Sequence, residues 1–267
     1  MPSEFRDTWS AGDAYERYMG RWSRLVAREF LDWLALPAKL KWLDVGCGVG
    51  ALTSEILARA APSSVTGLNS SEGFLTYARK QIPYANASFR PGDAQALPFA
   101  DESFDAAVSG LVLNFVRSPE RAAGEMRRVL RPGGVAAAYV WDYAGKMELI
   151  QRFWQAAVAF DPAAAGLDEA RRFPMCIPET LLALFCSEGF EGAEWRAFEV
   201  TTLFKDFDDY WSPFLGGQGP APTYADHLSE AAREALRERL RATLPTDSGG
   251  AIPLIARAFA VRAIRIR

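Results

Sequence analysis

The stretch LDVGCGVGALT, residues 43 to 53, sets Gly46, Gly48 and Gly50 between a β-type run and a helical one. A turn with this spacing lets backbone approach a ligand with no Cβ in the way. It also aims the unpaired N–H groups of a helix N-terminus at a polar or anionic group. Through Gly46, Gly48 and Ala51 the same stretch parses as GxGxxA, the dinucleotide fingerprint. The next run, VTGLNSSEGFL (65 to 75), has the form of a buried strand that turns into a helix, with Asn69 at the hinge. Proteins that hold a nucleoside on such a strand end mostly carry an acid there. Asn69, Ser70 and Ser71 are also good helix caps, so the same residues suit a purely local role.

Groups that could move a proton are few. Asp142, between Trp141 and Tyr143 at the end of a strand-like run, could act as a base or orient an amine, or could cap the following turn. His227 is the only histidine and stands near an aromatic segment. It is a candidate for catalysis or for a solvated, capping position. The segment PFLGGQGPAPTY (213 to 224) combines mobile glycines with Phe214 and Tyr224, and Trp211 stands just before it. That composition suits a lid, a pocket wall or an irregular connection.

These groups need elements to hold them. Short β-type runs at 41 to 45, 64 to 68, 87 to 90, 104 to 110 and 134 to 141 alternate with helix-length segments, which implies βαβ units and a parallel sheet covered on both faces. The clearest helix opens at Ser118-Pro119-Glu120 and closes with Arg127, Arg128 and Arg131 before Pro132-Gly133-Gly134. Ahead of the first strand, Trp22, Val26, Phe30, Trp33 and Leu34 recur at helical spacing. Further helices are expected near 146 to 160, 178 to 188 and 229 to 242, and strands at 194 to 200 and 256 to 266. The expected plan is one α/β domain over 1–267. It has a helical cap at 1–40, a ligand-binding core at 41–145, inserted cap segments at 146–190 and 201–250, and a last strand at 256–266.

The motifs LDVGCGVG, VTGLNSSEGFLTYAR, PGDAQALPFADESFDAAVSG and EMRRVLRPGG occur in one order over roughly residues 41 to 141. In this the chain resembles the class I S-adenosylmethionine-dependent methyltransferases, in the style of the ubiquinone and menaquinone biosynthesis enzymes. The resemblance implies a Rossmann-like sheet of seven strands, mostly parallel, with the last strand antiparallel beside the fifth, and S-adenosylmethionine as cofactor. It also implies that Gly46, Cys47, Gly48 and Gly50 line the methionine moiety, with Asp44 beneath them for the amino group. Asn69 and Ser70 would face the ribose and adenine. Asp93 and Ala94 would recognise the adenine amino group, and Leu111 would floor the sulfonium. Tyr15, Tyr18, Arg21 and Trp22 fall where related enzymes close a helix over the cofactor, with Tyr18 or Arg21 placed for the methionine carboxylate. Asn114-Phe115 departs from the [DN]PP[YF] signature of base and amide N-methyltransferases. At Asn69 an amide in place of a charged acceptor costs about 1 kcal/mol, or roughly five- to tenfold in affinity.

Bulk properties narrow the partners. A net charge of −3 gives no broad phosphate-binding surface, so nucleic acid is not an expected substrate. Cys47, Cys176 and Cys186 lack the CxxC spacing of a zinc site and the density of a secreted scaffold, which fits a cytoplasmic protein with no metal. No apolar leader and no stretch approaching 18 apolar residues is found, so no membrane attachment is expected. The expectation is a methyltransferase, monomeric or homodimeric, acting on a small, partly apolar molecule at O, N or C. The dinucleotide parse leaves a nicotinamide-dependent oxidoreductase as an alternative, and Asn69 leaves a non-catalytic cofactor-binding homologue.

Overall fold

The structure, a computed structural model, describes residues 16–217 and 219–266. Tyr15 and the rest of the first part of the expected N-terminal cap lie outside the described residues. Seven strands form one sheet: β1 Lys41–Val45, β2 Ser64–Asn69, β3 Ala87–Pro91, β4 Phe104–Gly110, β5 Leu130–Trp141, β6 Glu191–Phe204 and β7 Ile252–Ile264. Their spatial order is β3-β2-β1-β4-β5-β7-β6. The first five pair in parallel, and β7 runs antiparallel between β5 and β6. The central strands are buried on both faces, which is why they read as short apolar runs such as the KWLDV and FDAAVSG stretches. The order reverses between β1 and β4, and at such a switch point the strand ends leave a crevice.

The helices are α1 Arg21–Leu34, α2 Ala51–Arg59, α3 Glu72–Gln81, α4 Pro119–Val129, α5 Glu148–Phe160, α6 Glu169–Arg172, α7 Pro178–Ser187, α8 Phe207–Trp211, α9 Pro220–His227 and α10 Glu230–Thr243. α1 packs on α2, β6 and β7 through the stripe Trp22, Val26, Phe30 and Leu34. Its C-terminal carbonyls, of Trp33 and Leu34, accept hydrogen bonds from Arg262 on β7 at 2.7 and 3.3 Å. Side-chain capping of this kind satisfies carbonyls that the helix cannot.

Two local expectations change. The Pro-Gly-Gly after α4 is not a plain stop: α4 ends at Val129, and β5 already begins at Leu130. The extra residues are absorbed by a register shift between Phe104 and Ala106, with Gly133 at φ 81° donating to Arg265 C=O. Arg131 therefore sits in the strand and pairs with Asp105 at 2.8 Å. The aromatic, glycine-rich segment after β6 is largely helical. Asp206 caps α8, and Pro213 and Pro220 occupy the first turns of a 3₁₀ helix (Ser212–Leu215) and of α9, where a missing N–H costs nothing. Phe214 is fully buried and stacks on Phe153 with ring centroids 4.5 Å apart. Tyr18 meets the edge of Phe214 at 5.8 Å, so this cluster joins the start of the described chain to α5 and roofs the strand ends. Among the described residues no helix is long and apolar enough to cross a membrane.

Candidate active site

A cavity of about 180 Å³ opens over the C-terminal ends of β2, β1, β4 and β5. The sheet order lays its wall out in sequence. Asn69 ends β2 and Ser70 and Ser71 follow it, Asp44 and Gly46 to Val49 belong to β1 and its turn, Gly110 ends β4 with Leu111, Val112 and Phe115 after it, and Tyr139, Trp141 and Tyr143 belong to β5 and the turn beyond it. Tyr18, Met19 and Ser23 close it from above, with Ile150 on α5, Glu169 on α6 and Pro220 on α9.

The glycine turn is required by its backbone. Gly46 has φ 77°, and a Cβ there would lie 2.4 Å from Val112 Cγ1, so this close approach locks the turn after β1 to the turn after β4. Gly48, at φ 53°, has no atom closer than 4.0 Å to a built Cβ and presents bare backbone to the cavity. Gly50, at φ 87°, is used differently: it precedes α2, and a Cβ would meet Ile82 at 2.5 Å. It does not line the cavity. Cys47 lines the wall, and burial together with the Asp44 charge pushes its thiol well up, which keeps it protonated.

Asp44 is 1% exposed. Its Oδ2 accepts a hydrogen bond from Thr53 Oγ1 at 2.6 Å, while Oδ1 has no partner in the protein. Burial pushes the carboxyl up to about 7, against the opposing pull of the Thr53 bond. A buried carboxyl oxygen left open on a cavity wall is costly alone and is relieved by a cation or donor from a ligand. Asn69 also lines the cavity, and its Oδ1 accepts from Ser71 N–H at 2.8 Å. The Ser71 side chain in turn caps α3. The amide thus organises the helix start and faces the cavity at once.

Other expected site residues lie elsewhere. Asp142 is buried and spent: it accepts from Gly145 N–H at 2.9 Å, Lys146 N–H at 3.0 Å and Arg257 Nε at 2.7 Å, and it is absent from the cavity wall. This is the capping alternative, reinforced by an ion pair to β7. His227 is exposed at the end of α9 and donates from Nδ1 to Thr223 C=O at 2.7 Å. Arg21 turns from the cavity to Asp209, at 3.1 Å, across the faces of Trp22 and Phe204. Asp93 is exposed and accepts from Gln95 N–H at 2.8 Å, which holds its carboxyl below the usual range; neither it nor Ala94 lines the cavity. Leu111 does line it, in a left-handed conformation at φ 62° fixed by its N–H to Tyr139 C=O, 2.7 Å.

Glu169 is the residue that sequence reasoning missed. It is 1% exposed, accepts a hydrogen bond from Trp154 Nε1, and lines the cavity. Burial pushes it up to about 8. Its only local signal is Asp168 capping a helix four residues long, too short to show a periodic face.

A parallel sheet with an antiparallel strand inserted beside β5, a glycine turn after β1 and an open buried acid under that turn define a Rossmann-like nucleoside-binding enzyme. The family described as "Methyltransferase domain" matches residues 43–138. The ubiquinone/menaquinone biosynthesis C-methyltransferase UbiE of Roseobacter denitrificans is 33% identical over 190 residues, 65% of this chain and 75% of that protein. The malonyl-[acyl-carrier protein] O-methyltransferase of Pectobacterium atrosepticum is 31% identical over 177 residues, 66% of this chain and 63% of that protein. In fold the chain is similar to phosphoethanolamine N-methyltransferase 2 of Haemonchus contortus in complex with S-adenosyl-L-methionine, with TM-score 0.61, 16% identity, 97% of this chain and 58% of that one. It is also similar to the [4+2]-cyclase SpnF, with TM-score 0.56, 18% identity, 91% of this chain and 81% of that one. The chain belongs to the class I S-adenosylmethionine-dependent methyltransferases, and S-adenosylmethionine is its cofactor. The dinucleotide reading of the glycine turn is set aside with it.

Proposed function

We propose that this enzyme transfers a methyl group to a small, partly apolar molecule held at the β4–β5 end of the cavity. The observation that carries the reading is the open Asp44 Oδ1, a buried acceptor of the sign and place to hold the cofactor's amino group, directly or through water. Gly46, Cys47 and Gly48 would border the methionine chain, Asn69 and Ser70 the ribose and adenine, Leu111 the sulfonium, and Tyr18 would close over them. When bound, the cofactor supplies a methyl carbon already activated by its positive sulfur.

What remains for the protein is to orient an acceptor and exclude water, which in such a displacement carries much of the rate. Phe115, Tyr139, Trp141, Tyr143, Ile150 and Pro220 give the acceptor end a mainly apolar wall. That composition suits a small molecule with an apolar body. The relatives act on acceptors too different from one another to choose between them, so the wall itself is the better guide. We place the reaction in a reducing cytoplasm, because the three cysteines are all free.

Calorimetry with S-adenosylhomocysteine tests the cofactor half, and no binding at millimolar ligand would remove it. Transfer of a labelled methyl group to a panel of phenols, amines, thiols and quinones tests the rest. Cofactor binding without turnover on any of them would leave a binding protein instead of an enzyme for small acceptors.

A further inference from the structure

Two acidic residues line the cavity, Asp44 and Glu169, and no lysine, arginine or histidine stands among its described lining residues. Asp44 lies at the β1 turn, where the proposed function spends it on the cofactor. Glu169 is left over, and the structure fixes where. Phe173 N–H donates to Glu169 C=O at 2.9 Å, and the Phe173 ring packs on Phe115 at 4.8 Å and on Tyr143 at 5.7 Å. Phe115 follows β4 and Tyr143 follows β5, so the segment carrying Glu169 is pinned to the acceptor end, away from Asn69 on β2. Trp154 on α5 holds the carboxyl from a further side.

We propose that Glu169 is the counter-ion of a small protonated amine seated against Phe115, Trp141 and Tyr143, and that this enzyme methylates it at nitrogen. The proposal rests on the methyltransferase reading and sharpens its acceptor. An anionic acceptor would add charge to a wall that has no cation to answer it. A cation answers the buried carboxyl and gains from the ring faces beside it. Among charged neighbours, Asp168 opposes ionisation of Glu169 and Arg172 favours it; with the cavity empty, burial dominates and keeps the acid protonated near neutral pH. An arriving ammonium draws it into the charged form.

The same carboxylate then has the second task of freeing the lone pair. One N–H proton passes from the ammonium to Glu169. The nitrogen lone pair forms the new N–C bond while the C–S bond breaks with its electron pair left on sulfur. The product leaves as a methylated ammonium, and the proton on Glu169 is released to water.

Calorimetry on protein saturated with S-adenosylhomocysteine tests this with matched probes: phenethylamine, 3-phenylpropionate and 2-phenylethanol, then tryptamine and indole-3-propionate. At least one amine is expected to bind about tenfold or more tighter than its matched acid or alcohol, and Glu169→Gln should abolish that preference while S-adenosylhomocysteine affinity stays within about twofold. The proposal is overturned if the amines bind no tighter than their partners, or if Glu169→Gln keeps the preference. The wild-type comparison stands even where the variant folds poorly. Failure of S-adenosylhomocysteine itself to bind would strike the methyltransferase reading, and this proposal with it. Binding of the cofactor product without amine preference would strike only the choice of acceptor.

Discussion

Thr53 and Asp44 are joined by one hydrogen bond, 2.6 Å from Oγ1 to Oδ2, and that bond turns the other carboxyl oxygen into a fixed feature of the cavity wall. Thr53 sits in the first turn of α2 and Asp44 on β1, so the strand and helix that flank the glycine turn are tied beneath it. The turn cannot drift relative to the acid it works with.

Asp44→Asn keeps the shape and the Thr53 bond and removes the charge. Loss of a charged hydrogen bond to the cofactor amino group should weaken S-adenosylhomocysteine by about 1.5 to 3 kcal/mol, roughly ten- to a hundredfold. The melting temperature of the ligand-free protein should hold or rise, because a buried, half-satisfied acid is removed. Unchanged affinity by calorimetry would show that Asp44 serves the fold alone.

The raised Asp44 value, about 7, sets a pH dependence. The folded state holds this proton more tightly than the unfolded one. Its contribution to stability is therefore full below the ordinary carboxyl range near pH 4 and is lost as pH rises through about 7. Glu169, raised to about 8, adds a contribution of the same sign over a higher window. The ligand-free protein should melt at lower temperature as pH goes from about 5 to about 8. S-adenosylhomocysteine, whose ammonium favours ionised Asp44, should bind more tightly over the same rise. Melting curves and calorimetry at both ends of the range check the two signs together.

Asn69→Asp should tighten S-adenosylhomocysteine by up to about tenfold, since a carboxylate can keep the Ser71 N–H bond and still offer a charged acceptor to the ribose. Affinity that stays level or falls would mean that Asn69 works only for the start of α3, or that the site is shaped around an amide.

Asp142→Asn should lower stability and spare the cofactor. Its side chain is 4% exposed and its partner Arg257 is 25% exposed, so the pair is only partly desolvated and its rupture should cost about 2 kcal/mol. S-adenosylhomocysteine affinity should not move. A variant that melts normally but loses methyl transfer would return Asp142 to the chemistry.

Much of the scaffold is legible in the sequence because parallel strands buried on both faces leave dense apolar runs, and because Gly46 stands where only backbone fits and Gly48 at a left-handed φ that favours glycine. The helices after β6 are not legible. Glycines and prolines there suggest a loop, yet each proline falls in a first turn and Phe214 supplies the burial that short helices need. Asp142 and His227 stand out as residue types, and the structure shows His227 engaged with its own helix and Asp142 with the following turn and with Arg257 on β7. Glu169 gave no pattern because its place depends on a tertiary contact, Phe173 against rings that follow two other strands.

The hydrogen bonds from Arg262 to the end of α1 join residues 228 and 229 positions apart. The helix that bears Ser23 on the cavity wall is therefore anchored at its far end by a strand made more than two hundred residues later, as the separations of 228 and 229 positions show. The placement of a helix that walls the cofactor pocket thus depends on a strand that itself contributes none of the described residues of that wall.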